Sequence, residues 1–107
     1  MGTLSTHVLD TSRGRPAAGI HVALQGRGGE DLGHSTTDGD GRVAAIGPDR
    51  LEPGEYVLRF GSGEYFAAQG VEAFYPEVVV VFAIGAEDHY HVPVLLNPFG
   101  YSTYRGS

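Results

Sequence analysis

Residues 78–84 read Val78-Val79-Val80-Val81-Phe82-Ala83-Ile84, an unbroken apolar run that opens with four β-branched side chains. Branching at Cβ restricts χ1 and suits a pleated strand. The run is far short of the roughly 20 residues that span a bilayer. It reads as a strand apolar enough to be buried on both faces. If only one face packs on a core, the other calls for a partner. Downstream, His89-Tyr90-His91-Val92-Pro93-Val94-Leu95-Leu96 reads as a second strand. Pro93 cannot donate to a ladder, which argues for an edge position or a local irregularity. Asn97-Pro98 marks a turn, and residues 99–104 suit a last short strand.

Upstream, residues 55–60 alternate, with Tyr56, Leu58 and Phe60 set against Glu55, Val57 and Arg59. Residues 63–70 are the one segment suited to a helix, about two turns long, with Gly70 as a C-terminal stop. Nearer the N-terminus, strand-like runs cover residues 4–9, 20–24, 32–37 and 42–46. In the second of these, Ile20, Val22 and Leu24 share a face opposite His21 and Ala23. Turn-rich stretches separate the runs: residues 10–16, the glycines of 26–29, Asp38-Gly39-Asp40-Gly41 and Pro53-Gly54. Most of the 17 glycines and 6 prolines fall between runs. No repeat or linker interrupts the pattern. The expectation is one all-β domain over residues 1–107, a β-sandwich of seven or eight strands with one short helix.

The 107 residues suffice for a real core. With no cysteine, the chain has neither disulfides nor thiolate chemistry. The net charge is −6, and all seven basic side chains are arginine. An acidic chain without a basic cluster makes a poor nucleic-acid binder. The N-terminal residues show no basic-then-apolar targeting pattern, so a soluble cytoplasmic protein that binds neither nucleic acid nor membrane is expected.

Five histidines are many for a chain this short. His89 and His91 sit two apart on one strand and share a face. Each histidine alone is compatible with a surface or hydrogen-bonded structural role. A His-x-His pair can also bind zinc when a third ligand joins it, although nothing in the spacing forces this and no His-Glu-x-x-His pattern is present. The third reading is acid–base catalysis by neutral imidazoles assisted by an arginine. Arg42, directly after Asp38-Gly39-Asp40-Gly41, is the candidate. The same turn lacks the remaining spacing of an EF-hand loop. The chain end, Tyr101-Ser102-Thr103-Tyr104-Arg105-Gly106-Ser107, is richer in tyrosine and arginine than a frayed tail requires.

Residues 89–107, ending in Asn97-Pro98-Phe99-Gly100-Tyr101-Ser102-Thr103-Tyr104-Arg105-Gly106-Ser107, closely resemble the C-terminal signature of the 5-hydroxyisourate hydrolases of the transthyretin-like family. Leu4-Ser5-Thr6-His7-Val8-Leu9-Asp10 resembles their N-terminal motif. Gly19-Ile20, Thr37 with Asp38-Gly39-Asp40-Gly41-Arg42, and Phe74-Tyr75-Pro76-Glu77-Val78 also match. The resemblance covers the whole chain, and the terminal Tyr-Arg-Gly-Ser separates the hydrolases from the hormone carrier transthyretin. Asn97 stands where serine is common and Val94 where leucine is common; neither touches the implied chemistry.

The resemblance implies a transthyretin-like (prealbumin) β-sandwich assembled as a homotetramer, with sites between subunits. It implies hydrolysis of 5-hydroxyisourate at the N1–C6 bond to 2-oxo-4-hydroxy-4-carboxy-5-ureidoimidazoline in urate degradation, with no cofactor and no metal. The implied catalytic residues are His7, His91, Arg42 and Ser107. His7 and Arg42, with Tyr104, Arg105 and Gly106 of the tail, would bind substrate, and His89 would have a supporting role. The chain contains no Gly-x-Ser-x-Gly elbow, so direct attack by a histidine-activated water fits better than an acyl-enzyme. The rival readings are a non-catalytic carrier of a small ligand and a structural sandwich.

Overall fold

The computed structural model describes residues 2–107. Two sheets face each other. In the first, β1 (Thr3–Asp10), β2 (Arg15–Pro16), β8 (His89–Asn97) and β9 (Gly100–Thr103) run in the order β2-β1-β8-β9, and β5 (Arg42–Val43) also pairs with β1. In the second, β3 (His21–Gly26), β4 (Asp31–Thr36), β6 (Gly54–Phe60) and β7 (Val78–Ile84) run β4-β3-β6-β7. The helix α1 (Ser62–Ala67) joins β6 to β7.

The core forms where the inward faces of the sheets meet. Leu4 and Val8 of β1 and Val92, Val94 and Leu96 of β8 pack with Val22, Leu24, Leu58, Phe60, Val78 and Val80 of the other sheet. Burying one such side chain contributes about 1.5–3 kcal/mol. Period two then dictates the opposite set. Ser5 and His7 on β1, and His89 and His91 on β8, face away from the core. Asp10 is fully buried at the end of β1. Its carboxylate accepts hydrogen bonds from Ser12 and from the Tyr65 hydroxyl (2.8 Å), fastening α1 to the first sheet. Burial, and next the bond to Asp10, push the Tyr65 hydroxyl pKa up.

Several expectations are corrected in detail. The described residues form nine strands, because β2 and β5 are two-residue pairings on β1. Of the run 42–46, only Arg42 and Val43 pair as a strand. Gly47 and Pro48 follow closely, and the chain then holds β1 through single bonds such as Ile46 N to Leu4 O (3.1 Å). The strand 78–84 is buried on one face only. Val79 and Val81 are 38% and 48% exposed, because β7 is an edge strand with a single sheet behind it. β8 is an inner strand rather than an edge. Its proline is accommodated by a local irregularity: the β9 ladder stops at Val94–Thr103, and Thr103 Oγ1 donates to Pro93 O (2.8 Å). The helix is shorter than two turns and is closed by turns up to Gly70, whose φ of +70° is the left-handed stop expected of it.

Candidate active site

The first and eighth strands pair in parallel, and their register brings Thr3 opposite His89, Ser5 opposite His91 and His7 opposite Pro93. On the outward face this builds a compact polar array. Thr3 Oγ1 lies 2.6 Å from His89 Nδ1, and Ser5 Oγ lies 3.0 Å from His89 Nε2 and 2.7 Å from His91 Nδ1. His7 Nε2 donates to the carbonyl of Asp40 at 2.8 Å. A carbonyl can only accept, so the neutral His7 ring keeps its lone pair on Nδ1. Among the described residues neither His7 Nδ1 nor His91 Nε2 has a partner.

Arg42 reaches the same face because β5 pairs it with His7. The turn before it is built for that placement. Asp38 Oδ1 accepts the backbone N–H groups of Asp40 (2.9 Å) and Arg42 (3.0 Å). Chiefly the bond from Arg42 N–H holds the Asp38 carboxyl below its ordinary range. That oxygen therefore braces the turn. Gly41 has φ +75°, and a Cβ there would lie 2.3 Å from Val8 O, so only glycine lets the turn press against β1. Upstream, Thr37 Oγ1 bridges Ile20 N (2.9 Å) and Ala17 O (2.7 Å) and anchors the approach to the turn.

The Arg42 guanidinium makes no hydrogen bond or ion pair among the described residues. Partial burial, followed by the charges of Arg42, His7 and His89, pushes the His91 pKa below the ordinary imidazole value. The array thus favours neutral His91. Removing the Arg42 charge reverses part of that effect. Arg42→Gln raises the His91 pKa and Arg42→Lys leaves it near the parent value, as read by a proton NMR titration of the ring.

The tail closes onto His91. Gly106 N donates to His91 O (2.9 Å), and a Cβ on Gly106 would stand 2.5 Å from His91 Cδ2 and 3.0 Å from Pro93 Cγ. The glycine of the terminal tetrapeptide is thus a close-approach position against the His91 ring. Gly106→Ala displaces either that ring or the tail. It lowers turnover at least tenfold, a fraction of what a positioned acid–base group is worth (roughly 10²–10⁴-fold), and leaves the circular dichroism spectrum unchanged. Arg105 pairs with Glu87 and lies over the Tyr90 ring, 5.0 Å from its centroid. These contacts hold the tail down.

Tyr104 is exposed and, with Tyr90, Val80 and Phe82, lines a cavity of about 250 Å³ beneath the tail. Ser107 is exposed. A larger cleft of about 530 Å³, lined by Arg13, Arg15, His21, Glu64 and Gln69 among others, shares no residue with the histidine face. The remaining histidines lie on the second sheet, where His21 stacks on His34 (5.2 Å) and His34 bonds Asp31 (2.8 Å). No group of three or more potential ligands suited to a metal occurs among the described residues.

A family model described as HIUase/Transthyretin family matches residues 4–106. The chain belongs to this family. Within the HIUase/transthyretin family, it is 44% identical to a 5-hydroxyisourate hydrolase of Caulobacter vibrioides over the full length of both chains. The structure of Klebsiella pneumoniae 5-hydroxyisourate hydrolase superposes with a TM-score of 0.93 at 43% identity, covering 100% of this chain and 94% of that one. Sea bream transthyretin in complex with thyroxine superposes with a TM-score of 0.89 at 27% identity, covering 96% and 93%. One sandwich therefore serves both branches of the family, and the fold alone cannot separate them. The side chains on the outward face of the β1–β8 pair have to.

The structure brings His7, Arg42 and His91 onto one face and lays Gly106 on His91. Arg105 turns instead to Glu87 and Tyr90. Ser5 was legible only as part of a motif, yet it bonds two histidines at once. The signal that finds it is the spacing of Thr3, Ser5 and His7, which matches His89 and His91 once the two strands are known to be parallel neighbours.

Proposed function

We propose that this chain hydrolyses 5-hydroxyisourate by direct attack of water on the C6 carbonyl, opening the N1–C6 bond. One observation carries the reading: two imidazoles on one sheet face are each fastened through one ring nitrogen, with the other nitrogen unpartnered, beside an unpaired guanidinium. That set matches what amide hydrolysis needs, namely a base for water, a donor for the developing oxyanion and a donor for the leaving nitrogen. His7, held with its lone pair on Nδ1, takes the proton from water. Arg42 holds the oxyanion with its fork of N–H donors. His91 presents Nε2 to the leaving nitrogen. Ser107 helps hold the attacking water, while Tyr104, Arg105 and Gly106 shape the wall of the site. The fold's relatives named 5-hydroxyisourate hydrolase support this substrate.

A second copy of the chain completes the site. The histidine face is open in the protomer. The edge strands β7 and β9 leave Val79, Val81 and Tyr101 exposed, as are the neighbouring Phe74 and Phe99. Free edges and apolar patches of this kind are normally covered, which supports a homotetramer with sites between subunits.

The test is ultraviolet spectroscopy of 5-hydroxyisourate freshly made by urate oxidase. Its decay accelerates in proportion to added protein if the reading holds. Saturable binding with unchanged decay would replace the hydrolase with a carrier.

A further inference from the structure

We propose that Thr3, His89 and Ser5 form a proton wire that carries a proton from solvent to His91 Nδ1 as the Nε2 proton of that ring passes to the leaving nitrogen. The proposal rests on the hydrolase reading. Its geometry is a continuous chain: Thr3 Oγ1 to His89 Nδ1 (2.6 Å), His89 Nε2 to Ser5 Oγ (3.0 Å), and Ser5 Oγ to His91 Nδ1 (2.7 Å). Ser5 is buried, whereas His89 at the outer end is exposed. The wire therefore starts in solvent and ends at His91 Nδ1, across the ring from the reacting Nε2.

The logic lies in counting protons. A serine hydroxyl carries one hydrogen, so Ser5 donates to one ring and accepts from the other. With both rings neutral, two senses are possible. In one, Thr3 donates to His89 Nδ1, His89 Nε2–H donates to Ser5, and Ser5 donates to His91 Nδ1, leaving a proton on His91 Nε2. In the other, every donor reverses and His91 Nε2 carries a lone pair. The two rings must therefore hold the same tautomer, both Nε2–H or both Nδ1–H.

That coupling supplies what the reaction lacks. The charged or titratable neighbours of His91 are Arg42 on β5, His7 on β1 and His89 on β8, and with partial burial they disfavour its imidazolium form. A neutral imidazole is a very weak acid unless its other nitrogen gains a proton as the first is lost. As His91 Nε2–H passes to the leaving nitrogen, the Ser5 proton moves to His91 Nδ1. The His89 Nε2 proton moves to Ser5, the Thr3 hydroxyl proton moves to His89 Nδ1, and a solvent water reprotonates Thr3. His91 stays neutral throughout. The proton that His7 took from the attacking water leaves to solvent, which balances the one that entered at Thr3. After product leaves, the same shifts in reverse, driven by proton exchange with solvent at both ends, restore the starting sense.

Ser5 and His89 are thus positioning residues that act through His91. Ser5→Ala cuts the wire without adding bulk. It lowers kcat about 10–100-fold, a part of the contribution of a positioned acid, and leaves KM within about twofold. Ser5→Thr keeps a hydroxyl and recovers most of the rate. Rates in mixtures of light and heavy water curve with isotope fraction in the parent enzyme, as expected for several protons in flight, and become linear in Ser5→Ala. Independently of turnover, nitrogen-15 NMR of the unliganded protein at about pH 8.5, above the ordinary histidine range, shows His89 and His91 in one shared tautomer.

Opposite tautomers, or a folded Ser5→Ala protein with parent kcat and unchanged curvature, would overturn the wire. Matching tautomers in a protein that does not accelerate hydroxyisourate decay would remove the hydrolase reading and leave the coupled rings standing.

Discussion

Replacing His91 with alanine lowers kcat roughly a hundredfold to ten-thousandfold, the range a positioned acid–base group supplies. At 1.36 kcal/mol for each factor of ten, this is about 2.7–5.4 kcal/mol of lost transition-state stabilisation. The fold has little stake in the ring. His91 points away from the sheet interface, and its neighbours in sequence, Tyr90 and Val92, are the ones that enter the core. Its two fixed contacts, Ser5 Oγ on Nδ1 and Gly106 against the ring edge, orient it rather than bury it. A folded His91→Ala protein with near-parent turnover in the ultraviolet assay would remove His91 from the chemistry. A matched melting temperature establishes that a loss is catalytic.

Deleting residues 105–107 reduces turnover below detection while both sheets remain. The truncation removes the Gly106 N–H bond to His91 O, the wall that Gly106 sets against the ring, and Ser107. It also removes Arg105 from Glu87 and from the Tyr90 ring. That ion pair is mostly exposed, with the two side chains 61% and 64% accessible, and pairs of that kind contribute about 0–1 kcal/mol. None of the deleted residues belongs to the core. Far-ultraviolet circular dichroism and the denaturation midpoint should therefore change little. If the truncated chain still opens the ring, the tail is structural and the reading of the terminal tetrapeptide as part of the site is wrong.

The fold was legible wherever a local rule governs. Gly and Pro punctuation gave most strand limits, and alternation in 55–60 gave the inward Leu58 and Phe60. What escaped was set by neighbours. The 78–84 run looks suited to burial on both sides, yet Val79 and Val81 face outward because β7 has no second sheet over it. Pro93 suggested an edge or a local irregularity, and only the point where β9 stops pairing decides for the irregularity in an inner strand. At the site, the family resemblance supplied His7, Arg42, His91 and the tail. The part played by Ser5 and the anchoring of Arg105 depend on register and loop geometry, which no spacing along one strand reveals.

The parallel pairing of β1 with β8 has a temporal consequence. Ser5 and His91, which share a hydrogen bond, are separated by 86 positions along the chain. Closing so long a loop is entropically late, and topologies dominated by distant pairings fold slowly. A polypeptide emerging from the ribosome N-terminus first carries β1 long before its partner exists. The hydrophobic strands between them can begin to collapse, but the polar array cannot form until β8 has been made. A nascent chain that has not yet reached β8 therefore holds Ser5 and His7 of the array without His89 and His91.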